Sequence, residues 1–411
     1  MKNVFFAIIC SLAFSTANYA QYTWTQKASM SLFRYGASSF TIGSNSYVGT
    51  GYTATATALS DWWKYDPSTN TWSQVASMQG PRSAAVAFTL NSKGYCGLGL
   101  VASSFLTDLQ EYNPITNSWT AKASFPAQGR YGCSSFAIGN TGYVSCGNLG
   151  SASGPYSNQT YGYDANTNTW SQKSAFPGMT RYGGRGATIN NKGYVFGGIN
   201  GTGTSTSNFF NDLWEYDAAN NTWVQKMGIN GDGRQYPSVF VLDNKLICGN
   251  GIHWTGYFET FEAYDPLTNS WSAVPPMPVS EARWAACTFS IGNSGFVATG
   301  NKSFNNPTVV ENDLWELSLS TSLNDNPDQN IVQFDLFPQP GSGNIQIKVN
   351  SNTHAAYSLL VYNISGQKVA EQMIHDGEST IHTSIGSGIY LAVLTAEDGT
   401  FLAIKNFFSG S

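Results

Sequence analysis

Residues 181–200 read RYGGRGATINNKGYVFGGIN, and residues 211–223, beyond a Gly/Ser/Thr-rich insert, read NDLWEYDAANNTW. An arginine opens the stretch, an apolar run ends in glycine, and a Tyr–Asp pair precedes a tryptophan. All three features recur. Trp24, Trp72, Trp119, Trp170, Trp223 and Trp271 stand 48, 47, 51, 53 and 48 residues apart. Tyr65, Tyr112, Tyr163, Tyr216 and Tyr264 each lie seven residues before one of them, and Arg34, Arg82, Arg130, Arg181, Arg234 and Arg283 each open a unit. Such a period marks a repeat array whose units cannot bury their faces alone.

Within a unit the arginine is followed by a β-rich run, a short turn, a second run, a variable stretch, the tyrosine strand, a tight turn and the tryptophan strand. The last turn carries Asp–Pro or Asn residues such as Asp66-Pro67-Ser68-Thr69-Asn70, which bond their own backbone or preset φ, so it reads as a hairpin. Five second runs place glycine four residues past their leading aromatic (Gly51, Gly99, Gly147, Gly198, Gly300), and the fifth unit has Asn250 there, flanked by Gly249 and Gly251. Four short strands form a sheet with two open edges and two faces to cover, and radial stacking solves both problems. The sixth unit stops after its third strand near Leu317, whereas Tyr22-Thr23-Trp24-Thr25-Gln26-Lys27 is a fourth strand with no unit ahead of it. Pairing the two closes six blades and removes the last free edge.

With the glycine doublet Gly197-Gly198, the Tyr…Trp pairs and a period near 50, residues 22–319 resemble the kelch family. The resemblance implies a β-propeller, more often a binding scaffold than an enzyme. After a polar stretch at 320–333, short alternating strands follow from 334 to 411 and suggest a small Ig-like β-sandwich. That segment resembles the C-terminal sorting domain of cargo of the type IX secretion system in Bacteroidetes-like bacteria. The matching residues are Pro338, Pro340, Gly366, Gly388, Tyr390 and Lys405. The resemblance implies the type IX machinery as a partner and an extracellular or outer-membrane location. The expected fold class is therefore all-β, a six-bladed kelch propeller (21–319) followed by a sandwich.

Residues 1–20 combine Lys2, an apolar run and terminal small residues, as a secretory signal peptide does, and no segment reads as a transmembrane span. Charged residues make up only 11% of the chain and the net charge is −5, without a basic cluster, which argues against nucleic acid as a partner. Beyond Cys10 five cysteines remain and no C-x-x-C occurs. Cys133 and Cys146 flank one hairpin and could form a bridge, or all five could be buried thiols.

No HExxH, GxSxG, Walker A or GxGxxG sequence occurs, and the propeller has the single histidine His253, so neither metal nor cofactor is expected. Asp61, Asp108, Asp212 and Asp313 precede the third strand at a repeated position, which points to a structural task. The variable stretches 52–60, 100–107, 148–159, 199–211, 252–259 and 301–312 share one face with the arginine links, and function concentrates on such loops. Arg34, Arg82, Arg130, Arg181, Arg234 and Arg283 are thus expected to ring an open mouth and grip an anionic or sugar-like ligand, aided by Tyr131, Tyr182, His253 and Trp254. The opposing expectation is that the arginines bond backbone carbonyls and only close the ring. Three functions stay open: binding of a protein or glycan, a sugar mutarotase or epimerase using Glu281, Asp232 and Arg185, and a structural surface component.

Overall fold

The outer hairpin of each blade forms because its turn residues supply their own hydrogen-bond partners. Asp66, Asp164, Asp217 and Asp265 each accept the N–H two residues on, at 2.8–3.0 Å, and Asn113 does the same at 2.9 Å. Asn70, Asn117, Asn168, Asn221 and Asn269 then take left-handed φ values of 47–55°, which asparagine tolerates better than other side chains. Each of these asparagines performs a second task. Asn168 Oδ1 accepts from Tyr163 Oη (2.8 Å) and from the backbone N–H of Ala123 in the preceding blade (2.9 Å), while Trp170 Nε1 donates to Ala123 O (2.8 Å). The same two-point clasp holds Ala28, Ala76, Ser174 and Met227. At the sixth junction Trp24 Nε1 donates to Pro275 O at 2.9 Å. No asparagine is needed there, because proline has no N–H to satisfy.

These residues build the chain shown by the computed structural model. It describes residues 22–151, 153–202, 208–278, 281–303, 309–319, 333–338, 344–350, 356–363, 367–375, 377–382, 388–396 and 401–409. The expected signal peptide, most of the expected linker, Pro340 and Gly366 lie outside them. Two units are distinct, Met1–Leu319 and Ser320–Ser411, and among the described residues there is no α-helix.

The first unit contains six four-stranded antiparallel sheets. The fourth blade comprises Arg185–Ile189, Lys192–Phe196, Leu213–Asp217 and Thr222–Lys226. The sixth comprises Cys287–Ile291, Ser294–Asn301, Val310–Leu319 and, from the other end of the unit, Tyr22–Lys27, with Trp24 opposite Leu317. The innermost strands (Ser38–Ile42, Val86–Leu90, Ser134–Ile138, Arg185–Ile189, Ser238–Leu242 and Cys287–Ile291) each touch the next, and the last touches the first. The ring is closed.

Two circles of backbone hydrogen bonds reinforce it. Gly51, Gly99, Gly147, Gly198, Gly251 and Gly300 donate to the carbonyls of Arg82, Arg130, Arg181, Arg234, Arg283 and Arg34 at 2.8–2.9 Å. All six have φ between 89° and 113°, a range that disfavours any side chain. In the fifth blade the glycine of this circle is Gly251, not Asn250. Leu246 is not the aromatic equivalent there, because Ile247 occupies that register. In the second circle Gly36, Ala84, Gly132, Gly183, Tyr236 and Ala285 each donate to the preceding member, at 2.6–3.3 Å.

Aromatic side chains fill the spaces between blades. Phe136, for example, lies flat on Gly193 of the next blade, where a Cβ would sit 2.1 Å from the ring, and Trp223 meets it edge-on. Cys96, Cys133, Cys146, Cys248 and Cys287 are buried free thiols, so the bridge between Cys133 and Cys146 is not formed. The second unit has a three-stranded sheet (Gln333–Pro338, Asn344–Asn350, Gly377–His382) and a four-stranded one (Lys368–His375, Ala356–Asn363, Gly388–Ala396, Phe401–Ser409). Pro338 ends its strand, Gly388 starts one, and Tyr390 and Lys405 lie within paired strands.

The clasp predicts a measurable asymmetry. Asn168→Ala loses an acceptor for two donors and places alanine at φ 55°, and is expected to cost about 1–3 kcal/mol in urea unfolding. Asn168→Gly, which relieves only the backbone strain, is expected to cost less.

Candidate functional site

The six arginines are not an open ring of guanidinium groups. Arg34, Arg82, Arg130, Arg181, Arg234 and Arg283 are at most 2% exposed, and each Nη1 donates to the carbonyl sixteen residues later in its own blade, at 2.9–3.4 Å. In four blades a carboxylate also accepts from both Nη atoms. Arg34 bonds Asp61 with both Nη atoms (3.0 and 2.7 Å), Arg82 bonds Asp108 (2.8 and 2.7 Å), and Arg181 bonds Asp212 (2.5 and 2.8 Å). Arg283 is forked to Asp313 and also bonds Glu281 (2.5 Å). In these four blades burial of the cation is tolerable because a carbonyl and a planar carboxylate match it. The expectation that these arginines grip a ligand is corrected accordingly: they are buried and turned toward carbonyls and side chains of their own blade.

The electrostatics agree. Burial by itself would raise the carboxyls of Asp61, Asp108 and Asp313, but hydrogen bonds and charge from Arg34, Arg82 and Arg283 hold all three below the ordinary aspartate value. Two blades differ. Arg130 uses Ser157 Oγ (2.8 Å) and Gln159 Oε1 (2.9 Å) in place of an aspartate. Arg234 has neither, since Thr260 stands at the aspartate position. Its guanidinium lies 3.9 Å from the centre of the Phe258 ring, and burial brings its pKa down to about 10.

What occupies the mouth is aromatic. The residue after each arginine bridges to the start of the variable loop of its own blade, as in Tyr35 with Tyr52, Tyr131 with Asn148 and Trp284 with Asn301. From Tyr52, which meets Tyr35 within the first blade (5.9 Å), ring contacts run from blade to blade: Tyr35–Trp284 (5.8 Å), Trp284–Tyr236 (6.0 Å), Tyr236–Tyr182 (6.2 Å) and Tyr182–Tyr131 (5.6 Å). Tyr156 stacks on Tyr182 with an interplanar angle of 4°. Tyr182 and Tyr236 are buried, while Tyr35, Tyr52, Tyr131, Tyr156 and Trp284 remain partly exposed. Three of the variable loops form small hairpins at this face: Leu100–Val101 with Ser104–Phe105, Asn148–Ser151 with Gly154–Tyr156, and Ile252–His253 with Gly256–Tyr257.

Beneath the collar a cavity of about 120 Å³ runs along the axis between the innermost strands. Arg185 lines it, whereas Glu281 and Asp232 do not. Glu281 is held by Arg283 and by Lys302 (2.7 Å), and Asp232 is exposed on its loop. The three candidate catalytic residues are therefore not brought together. His253 is buried against Phe209 (4.7 Å) and Phe258 (6.0 Å), with Nδ1 3.0 Å from Thr255 Oγ1, and burial lowers its pKa. Trp254 beside it is 45% exposed.

Sequence reasoning passed over Tyr236. A signal for it exists: the residue two places past the arginine is Gly36, Ala84, Gly132, Gly183 or Ala285 in the other blades, and only the fifth has a large side chain. Tyr236 takes the left-handed φ of 48° there, and its hydroxyl reaches Gly132, two blades away.

A closed ring of six four-stranded blades, each with a buried arginine and five with an Asn-x-Trp clasp, defines a β-propeller of the kelch type. Family models agree. The KLHDC2/KLHL20/DRC7 Kelch-repeats domain matches residues 124–300, the Kelch motif matches 43–79, and the Secretion system C-terminal sorting domain matches 335–405. The chain thus carries kelch repeats and a C-terminal sorting domain of the type IX secretion system, which indicates export to the cell surface or beyond. Among curated proteins it is 29% identical over 139 residues to Kelch-like protein 35 of Mus musculus (32% of this chain, 22% of that protein). It is 32% identical over 127 residues to N-acetylneuraminate epimerase of Shigella sonnei (30% of this chain, 33% of that protein). The matches span a third or less of these relatives. The solved structure of YjhT superposes with a TM-score of 0.58 at 16% identity, over 70% of this chain and 99% of that one, which places the fold. No helix among the described residues is long and apolar enough to cross a membrane.

Proposed function

We propose that the propeller is a secreted or cell-surface binding module that takes a glycan or protein ligand on its loop face. The signal peptide read at 1–20 would start its export, and the C-terminal domain, read as an Ig-like sandwich, would complete it. The observation that carries this reading is the aromatic collar, in which partly exposed rings from three blades converge around the axis at Tyr35, Tyr52, Tyr131, Tyr156 and Trp284. A tyrosine or tryptophan ring offers an apolar body and a polar tip with few rotamers to freeze, which suits the faces of sugar rings and peptide side chains alike.

The test is a glycan and peptide array probed with the mature chain, followed by titration of the best hit. Tyr35→Ala combined with Trp284→Ala is expected to weaken that affinity at least about tenfold, given the 2 kcal/mol or more typical of aromatic anchors. Circular dichroism should stay unchanged. Full affinity in a folded double variant overturns the assignment.

The similarity to N-acetylneuraminate epimerase supports a second reading, a sugar mutarotase or epimerase. It needs a carboxylate and an arginine facing one pocket, and the axial cavity offers only Arg185. Binding is the better-supported reading.

A further inference from the structure

Arg185 breaks the repeat at the centre of the molecule. Cross-strand pairing aligns it with Ser38, Val86, Ser134, Ser238 and Cys287, the first residues of the other innermost strands. Those are small or apolar and uncharged, whereas the fourth blade places a guanidinium on the axis. The next residue, Gly186, lets the adjoining blade approach closely: a Cβ there would lie 2.4 Å from Ser135 O.

The surroundings of this cation are unlike those of the six repeated arginines. No aspartate is forked to it. Its Nη2 lies 3.5 Å from Ala286 O, at the limit of a hydrogen bond, and its Cζ sits 5.3 Å from the centre of the Tyr236 ring. The cavity it lines is contributed by all six blades, through residues such as Ser39, Ala87, Ser135, Gly186, Val239 and Thr288, and none of the lining residues is a carboxylate. The hydroxyl protons nearby are engaged sideways, from Ser39 to Thr288 O (2.8 Å), Ser135 to Ala87 O (3.2 Å) and Thr288 to Val239 O (2.7 Å). The strong donors left to face the axis are therefore those of the guanidinium. Burial lowers the Arg185 pKa and no neighbouring carboxylate offsets it, consistent with a cation that lacks its counter-charge.

A charge enclosed without a partner is costly, and proteins neutralise it by pairing. Here the chain supplies no partner, so solution must. We infer that the axial channel is a binding site for a small monovalent anion, a halide or a carboxylate of acetate size, held by Arg185 beneath Tyr236. The fork of the guanidinium fits the two oxygens of a carboxylate. A volume of about 120 Å³ lies well below the roughly 300 Å³ at which pockets for larger ligands begin, which favours a small anion over a sugar acid. The site is distinct from the collar on the loop face, and neither reading depends on the other.

The experiment is thermal unfolding of the full mature chain in sodium bromide, sodium acetate and sodium gluconate at equal ionic strength, gluconate being too bulky for the channel. Bromide or acetate is expected to raise Tm saturably by roughly 2–4 °C over gluconate. Arg185→Ser, which installs the residue found in three other blades, is expected to abolish the difference. Equal Tm in all three salts, or an undiminished rise in Arg185→Ser, overturns the site. Should that variant fail to fold, crystals of the unaltered protein soaked in bromide decide the matter. An anomalous peak beside the Arg185 guanidinium supports the site, and a channel without one overturns it.

Discussion

Replacing both Arg82 and Arg181 with alanine is expected to leave the propeller unable to fold, not merely unable to hold a ligand. Each substitution removes a buried cation, strips a forked partner from a partly exposed aspartate and leaves the carbonyl of Leu98 or Gly197 without its donor. Breaking a fully buried pair from one side costs about 3–5 kcal/mol, and the loss is smaller at Asp108, whose side chain is 39% exposed. Two such losses in separate blades add, and reach the 5–15 kcal/mol that holds an ordinary domain together. Gel filtration and circular dichroism of the double variant check this, and a folded monomer with unchanged Tm would contradict it. The arginine–aspartate pairs of three blades set the acid limit. The carboxyls of Asp61, Asp108 and Asp313 are held below their ordinary value in the fold. Their contribution is complete above the unfolded-state value near 4 and disappears as pH falls through the folded-state values. Urea midpoints should therefore be flat with respect to these groups down to about pH 5 and drop below pH 4.

Removing residues 22–27 is the second change with a large expected effect. Tyr22–Lys27 pairs along its whole length with Val310–Leu319, and Tyr22 and Trp24 pack into the core of the fifth and sixth blades. Without it the sixth blade presents a bare strand edge, the junction to the fifth loses its Trp24–Pro275 bond, and an open edge invites pairing between molecules. The truncated chain is expected to aggregate on refolding, and adding back a synthetic peptide of residues 22–27 should restore monomers in part. A soluble, cooperatively unfolding truncated propeller would show that closure is dispensable.

Much of the architecture was legible in the chain because it is written at short range. The five Tyr–Trp spacings of seven, the Asp or Asn heading each turn and the unmatched halves at both ends give blade number and closure. The clasp leaves a mark, asparagine two places before tryptophan, but it was read only as a turn, because its second partner lies 41–47 residues upstream. The destination of the arginines was harder to read. An arginine repeated in every unit looks the same whether it faces solvent or its own blade. Its aspartate lies 27, 26, 31 or 30 residues later because the intervening loop varies in length, so no fixed spacing announces the pair. The Arg-to-carbonyl separation of sixteen is constant, but a carbonyl leaves no mark in a sequence. The collar was half legible: Tyr35, Tyr131, Tyr182 and Trp284 follow arginines, whereas Tyr52 and Tyr156 belong to loops of unequal length and meet the others only in space.

The register that sets Tyr22 opposite Leu319 has a temporal side. The first strand of the propeller to leave the ribosome is the last able to find its partner, which is made almost 300 residues later. Until then it must stay extended and unmatched, and contacts so distant in sequence are slow to form. Any step that threads the chain through a membrane before that partner exists therefore meets an uncompleted, still pliable polypeptide, and the sorting domain, synthesised after Leu319, appears only once the circle has everything it needs to shut.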